Sequence, residues 1–147
     1  MTIAPALIIA ALTQVSSQVF KLFFYSIRDR RFALKYLITA GGFPSAHSAF
    51  VTSLATAVGM NSGFSSDVFA VAAVMALVVM YDAWRLRGAV QNHAKLLNEL
   101  TSEHFKNRHK ELNEMLGHSP GEILAGIVFG GLVAVGLSLL VRSLGLL

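Results

Sequence analysis

The 147-residue sequence holds no cysteine, only three prolines and one tryptophan, and few charges, with Asp, Glu, Lys and Arg together making up 14% of it. Without cysteine there is neither a disulfide nor a thiolate metal site. So few charges cannot give a soluble domain its polar surface when 54% of the residues are hydrophobic and the mean hydropathy is +0.61. No internal repeat and no low-complexity tail is evident, which argues against a transport path built from duplicated halves. The opening Met1-Thr2-Ile3-Ala4-Pro5 lacks the basic n-region of a signal peptide, so the first apolar run is expected to be retained. What the chain does have is apolar runs that approach the ~20 residues needed to cross a bilayer. The expected fold class is therefore all-α: a single membrane-embedded domain over residues 1–147, an integral membrane bundle of about four transmembrane helices with interfacial or cytosolic helices.

The spans are expected at about 3–24, 45–60, 67–84 and 122–140. Residues 32–43 read as interfacial or re-entrant, being too short to cross and ending in Gly41-Gly42-Phe43-Pro44. Residues 88–116 turn polar and read as a helical connection broken near Thr101-Ser102. Gly126, Gly130, Gly131 and Gly136 in the last span suit close helix packing, and oligomerisation stays open. The net charge of +4 could suit nucleic acid, but the basic residues flank apolar spans, so anionic membrane lipids are the better partner. Four Lys/Arg fall in 28–35, six in 85–110 and none in 61–66. The positive-inside rule then places both basic connections in the cytosol and both termini on the opposite side.

That topology delivers ionisable residues from four chain segments to one membrane surface: Lys21, Arg28, the Pro44–Ser48 stretch, Asp82, Arg85, Arg87, His118 and Glu122. Pro44-Ser45-Ala46-His47 opens a helix, where unpaired N–H groups and the dipole suit an anion such as phosphate. A histidine there can hand a proton to a leaving oxygen. Gly117-His118-Ser119-Pro120-Gly121-Glu122 sets an imidazole just before another helix with a carboxylate one turn on. That carboxylate suits either of two tasks, orienting the imidazole or closing a capping box with Ser119. Gln14, Gln18 and Lys21 share one helix face, which fits a polar seam with Lys21 snorkelling to the interface as well as it fits a site. Asp82 is open between an arginine, Lys21 and a metal such as Mg, a lone carboxylate at an interface being more often an ion-pair partner. His93, His104 and His109 have no acidic or cysteine cluster around them and read as surface residues, and Trp84 beside Tyr81 as an interfacial anchor.

Taken together these pieces resemble the type 2 phosphatidic acid phosphatase superfamily, which also includes vanadium haloperoxidases, and most closely its short divergent bacterial and plastid branch. The superfamily's first motif is a lysine, six residues, then Arg-Pro; here Lys21 and Arg28 keep the spacing and Asp29 stands for the proline. Its second motif, Pro-Ser-Gly-His, is seen as Pro44-Ser45-Ala46-His47. Its third ends in histidine, three residues, aspartate, and a later glycine, matched by His118, Glu122 and Gly126. Leu112-Asn113 stand where that motif usually carries Ser-Arg, so one phosphate-binding arginine is missing, and Arg85 and Arg87 are candidates to replace it.

The resemblance implies a phosphohistidine mechanism. His118 would be the nucleophile, Glu122 its orienting carboxylate and His47 the acid and base. Lys21, Arg28, Ser45 and the backbone at Ala46, with Arg85 or Arg87, would hold the phosphate. No cofactor or metal ligand is expected, and vanadate should inhibit as a phosphate mimic. The implied activity is hydrolysis of a lipid phosphate monoester, phosphatidylglycerol phosphate first and phosphatidate second, at the cytosolic or stromal face of a bacterial cytoplasmic or plastid membrane. A non-catalytic protein that binds lipid phosphate headgroups or partners is the alternative, and undecaprenyl diphosphate becomes the substrate if the topology is inverted.

Overall fold

The computed structural model describes residues 4–37, 41–105, 111–114 and 116–145. Helix α1 spans Pro5–Arg28, α2 Ala46–Ser62, α3 Asp67–Tyr81, α4 Arg87–Phe105 and α5 Pro120–Ser143. No strand occurs among the described residues. Each start has a local cause. Proline occupies the first turn of α1 and α5, where its missing N–H costs nothing. Ser45, Ser66 and Ser119 cap α2, α3 and α5 by accepting the backbone N–H three residues on.

The centre of the bundle is α2, on which α1, α3 and α5 all pack. Its buried residues, among them Ala46, Ala49, Val51, Ser53, Ala55 and Ala57, lie all round the helix and are small, as a helix surrounded by others requires. The buried set of α5 is a single line, Gly126, Gly130, Ala134 and Ser138, one residue per turn. A Cβ at Gly126 would run into the Ser45 carbonyl oxygen, and one at Gly130 into the backbone of Ala49. Gly131 and Gly136, by contrast, face open space. Only Ala72 and Ala76 of α3 are buried, leaving Val68, Val71, Val74, Leu77 and Val78 directed outward as a lipid-facing surface would have them.

Direction follows from these contacts. Ser45 meets Gly126 and Ala49 meets Gly130, while Arg142 near the end of α5 donates to the Met60 carbonyl near the end of α2, so α2 and α5 run parallel. At that far end Ala6 and Ile9 of α1 cluster with Ala57 and Ala134, so α1 runs opposite to both. The ends that carry Lys21, Ser45, His47 and His118 therefore coincide.

The outline agrees with the sequence reading, and the differences have physical reasons. Among the described residues three helices are long and apolar enough to cross a membrane by themselves, Pro5–Arg28, Asp67–Ser102 and Pro120–Ser143. The 17-residue α2 is shorter and crosses the bundle under cover of its neighbours. The third span does not stop at 84: α3 continues through a π-helical turn, Asp82–Leu86, into α4, and helix persists past Thr101-Ser102 to Phe105. The hydroxyls of Thr101 and Ser102 bond back to carbonyls of the preceding turn, so their polar groups are satisfied within the helix. Residues 111–114 and 116–119 lie outside any helix, so the described end of the 88–116 connection is not helical. Of the 32–43 segment, Leu34–Leu37 form a 3-10 turn, and Ala33 and Leu37 pack on Leu22 and Tyr25 of α1; residues 38–40 lie outside the described residues. Ile3, at the expected start of the first span, and His109 lie outside them too, as does the side chain of His104.

The two classes of glycine in α5 should respond oppositely to a methyl group. Gly130→Ala should lower the thermal midpoint in detergent by the equivalent of about 1–3 kcal/mol, the usual cost of forcing an atom into packed backbone. Gly131→Ala should leave it unchanged or raise it by up to about 1 kcal/mol through helix propensity.

Candidate phosphate-binding site

At the shared end of the bundle the side chain of Lys21 is 0% exposed, and its Nζ donates to the Gly41 carbonyl at 3.0 Å. The lysine does not snorkel: it is folded inward under the Gly41-Gly42 turn, while Gln14 and Gln18 remain half-buried along α1. Gly42 has φ +100°, and a Cβ there would strike the Tyr25 hydroxyl, so glycine is required both for the turn and for the ring beneath it. The Tyr25 hydroxyl accepts the Phe43 N–H at 2.9 Å and fixes the turn to α1.

The turn leads into α2. Ser45 is fully buried, its N–H donates to the Glu122 carbonyl at 3.0 Å, and its Oγ accepts from the Ser48 N–H at 3.3 Å and the Ser48 hydroxyl at 3.0 Å. Ser45 thus ties the start of α2 to the start of α5, and only its hydroxyl proton is left to offer an anion. Ala46 is the first residue of α2, where backbone N–H groups have no intrahelical acceptor. His47 follows.

The rings of His47 and His118 meet edge to face with centroids 5.8 Å apart. His118 is 4% exposed, and neither of its ring nitrogens has a hydrogen-bond partner among the described residues; Nδ1 of His47 has none either. Burial first, and then the positive fields of His47, Lys21 and Arg87, push the His118 imidazole down to about 4 from its ordinary 6.5, so it is neutral and nucleophilic at physiological pH.

Glu122 is in the capping box. One carboxylate oxygen accepts the Ser119 N–H at 2.9 Å while the Ser119 hydroxyl accepts the Glu122 N–H at 3.3 Å. The carboxylate–imidazole hydrogen bond expected from the sequence is not among the described contacts, because the carboxylate is turned back onto the helix start. It still lies within electrostatic reach of Lys21.

The cations divide. Arg87 Nε donates to Asp82 Oδ2 at 2.7 Å, so Asp82 is an ion-pair partner, and Arg87 acts electrostatically on both histidines. Arg85 lies over the Trp84 ring, 5.5 Å from its centroid, and both residues line a cavity of about 870 Å³ together with Tyr25, Gly41, Tyr81, His118 and Glu122. Trp84 is accordingly part of the cavity wall as well as half-exposed. Arg28 is turned away: it pairs with Asp29 at 2.9 Å, stacks 4.4 Å from the Tyr25 ring and is not among the lining residues. No group of three or more His, Cys, Asp or Glu able to hold a metal occurs among the described residues.

The π turn is what the sequence reading missed. In an α-helix the Arg87 N–H would bond the Ala83 carbonyl; here it bonds Asp82 O, and the Ala83 carbonyl accepts the His118 N–H at 3.1 Å. Asp82 and Arg87, five apart, would not share a face of an α-helix but do share one across a π turn. A single extra residue per turn therefore creates both the ion pair and the anchor for the second imidazole.

Because the unfolded chain binds the His118 proton near pH 6.5 and the folded chain only near 4, the unfolded state holds more protons between those values. Stability in detergent should fall as pH is lowered from 6.5 toward 4, and thermal melts of His118→Asn should lose that component of the slope.

Two comparisons place the chain among known proteins. The model of the divergent PAP2 family matches residues 3–133. The uncharacterized membrane protein YuiD of Bacillus subtilis (strain 168) is 34% identical over 139 residues, covering 85% of each chain. No solved structure matches. Because the family match runs across nearly its whole length, this chain belongs to the divergent PAP2 family.

Proposed function

We propose that this membrane protein is a lipid phosphatase that hydrolyses a phosphate monoester through a phosphohistidine on His118. The observation that carries this reading is the facing pair of half-buried His47 and buried His118, 5.8 Å apart and with unpartnered nitrogens, beside the ammonium of Lys21. In the first step a neutral His118 nitrogen attacks phosphorus, the bond to the lipid oxygen breaks, and the leaving alkoxide takes a proton from His47. His47 then removes a proton from water, whose oxygen attacks phosphorus, expels the imidazole and releases inorganic phosphate. Lys21, the proton of Ser45, the N–H of Ala46 and Arg87 hold the phosphoryl oxygens, and Arg85 adds a cation at the mouth, while Arg28 stays with Asp29 and Tyr25. Glu122 fixes the backbone that carries His118 rather than the ring itself.

The site end also carries Arg28, Arg30, Arg31, Arg85 and Arg87, against Arg142 at the other, which supports a cytosolic or stromal site with both termini opposite. A substrate made on that side is favoured, phosphatidylglycerol phosphate before phosphatidate, and undecaprenyl diphosphate only for the inverted orientation. One observation favours a second reading, a non-catalytic protein that binds lipid phosphate headgroups: the Glu122 carboxylate is spent on the cap and leaves the imidazole without an orienting partner.

Phosphate release by the detergent-purified protein from these three lipids, with and without EDTA, separates the readings. EDTA-resistant and vanadate-sensitive release is expected, falling by at least about 10³-fold in His118→Ala and His47→Ala, as when one member of a concerted nucleophile–base pair is removed. Release abolished by EDTA would make Asp82 a ligand of Mg, and vanadate binding without turnover would leave the headgroup-binding reading standing.

A further inference from the structure

Of the residues that precede His118, the described ones, 111–114, 116 and 117, lie outside any helix, yet Leu112, Glu114 and Gly117 are each held. Asn98 on α4 pairs with Leu112 in both directions: its Oδ1 accepts the Leu112 N–H at 2.8 Å and its Nδ2 donates to the Leu112 carbonyl at 2.9 Å. The same amide nitrogen donates to Glu114 Oε1 at 2.8 Å. Two turns earlier on the same face, Gln91 Oε1 accepts the Gly117 N–H at 3.0 Å. One turn earlier again, Gly88 meets Gly117 so closely that a Cβ on Gly117 would lie 2.7 Å from Gly88 Cα. At the π turn the Ala83 carbonyl takes the His118 N–H. Ala94, buried between Gln91 and Asn98, lies on this stripe as well.

The lengths agree. Helix from Asn98 back to Ala83 rises about 22 Å at 1.5 Å per residue. Six residues, the separation of Leu112 from His118, can reach about 20 Å at 3.3 Å per residue. Leu112, Glu114, Gly117 and His118 are therefore fastened in antiparallel order along one stripe of the long helix, and the last link sets down the nucleophile of the proposed reaction.

We infer that Gln91 and Asn98 are positioning residues: they strap Leu112, Glu114 and Gly117 to the long helix and so hold the His118 imidazole against His47. This inference rests on the reading of His118 as a nucleophile for its kinetic consequence, but not for its geometric one. A carboxamide is suited to the task because its carbonyl oxygen and NH₂ group can complete the hydrogen bonds of an extended segment that has no neighbouring strand. Neither residue lies in a sequence motif, and among the described residues neither hydrogen-bonds the His118 ring.

The test uses the full-length protein in detergent with Gln91→Leu, Gln91→Glu, Asn98→Ala and Asn98→Asp. Gln91→Glu keeps the acceptor for the Gly117 N–H, whereas Gln91→Leu removes it. Two readouts are taken. The first is the rate of carbethoxylation of His118 by diethylpyrocarbonate, resolved by peptide mass spectrometry, with exposed His93 as internal reference. The second is kcat and KM for phosphate release. Loosening the strap should raise the His118 modification rate relative to His93 several-fold in Gln91→Leu and Asn98→Ala. It should lower kcat about 10- to 100-fold, as misplacing a reactive group by an ångström does. KM should stay within about threefold, since the phosphate-holding groups are untouched. Gln91→Glu should behave as the parent on both readouts, and it reads the same bond even if Gln91→Leu does not fold; Asn98→Asp, which keeps only the acceptor, should fall between parent and Asn98→Ala. Faster modification of His118 without any turnover in the parent would uphold the strap while sinking the phosphatase reading. Unchanged modification in Gln91→Leu and Asn98→Ala, or a Gln91→Glu that matches Gln91→Leu, overturns the strap itself.

Discussion

Everything at the site depends on how closely α5 can lie against α2. With only hydrogen beyond the backbone at Gly126 and Gly130, the two helices touch, and the Ser45 N–H reaches the Glu122 carbonyl. That contact brings two helix starts side by side in parallel, so that the residue just inside one, His47, faces the residue just before the other, His118. In a bilayer there is little hydrophobic gain from pressing two apolar helices together, and association relies on this kind of close backbone packing. The same contact sums the positive ends of two helix dipoles at one spot, which suits an anion and disfavours a protonated imidazole.

A buried lysine, one buried imidazole and one half-buried imidazole are costly to assemble in an apolar bundle, and the surrounding structure shows how the cost is offset. Lys21 is given a carbonyl by the Gly41-Gly42 turn, Glu122 adds a negative charge nearby, and Arg87 is neutralised by Asp82. Among the buried polar atoms left unmatched are both nitrogens of His118 and Nδ1 of His47, on rings that face each other. Unpaired polar atoms in an otherwise satisfied environment are where a ligand is expected to contribute hydrogen bonds of its own.

The long helix contributes in a different manner. Its π turn departs from regular α geometry, and its stripe of Gly88, Gln91, Ala94 and Asn98 is polar or small where a membrane span would be apolar. Both features serve one end, which is to accept an extended segment alongside and set His118 in place. Helix α4 is thus a rail for the residues leading to α5 as much as an extension of α3.

From residues alone the helical membrane class followed, because composition and run length decide it before any fold is considered. The pairing of Lys21, His47, His118 and Glu122 on one surface also followed, because charge bias fixes the sense of each span. The capping box at Ser119 and Glu122 was readable as one of two roles, and only the folded structure showed which role holds the carboxylate. The inward turn of Lys21 was hidden, since snorkelling and burial give the same spacing in sequence. Arg28 kept its motif spacing yet is drawn off by Asp29 and Tyr25, a competition between neighbours that spacing cannot express. The π turn, and with it the Asp82–Arg87 pair and the Ala83 anchor, depends on a shift of one residue in hydrogen-bond register, which leaves no periodic trace. Sequence determined what kind of solvent the protein lives in and which residue types meet at one end of it. Tertiary structure decided which of them face one another, because hydrogen bonds between segments far apart in sequence, from Gln91, Asn98 and Ala83 to the residues before α5, set that geometry.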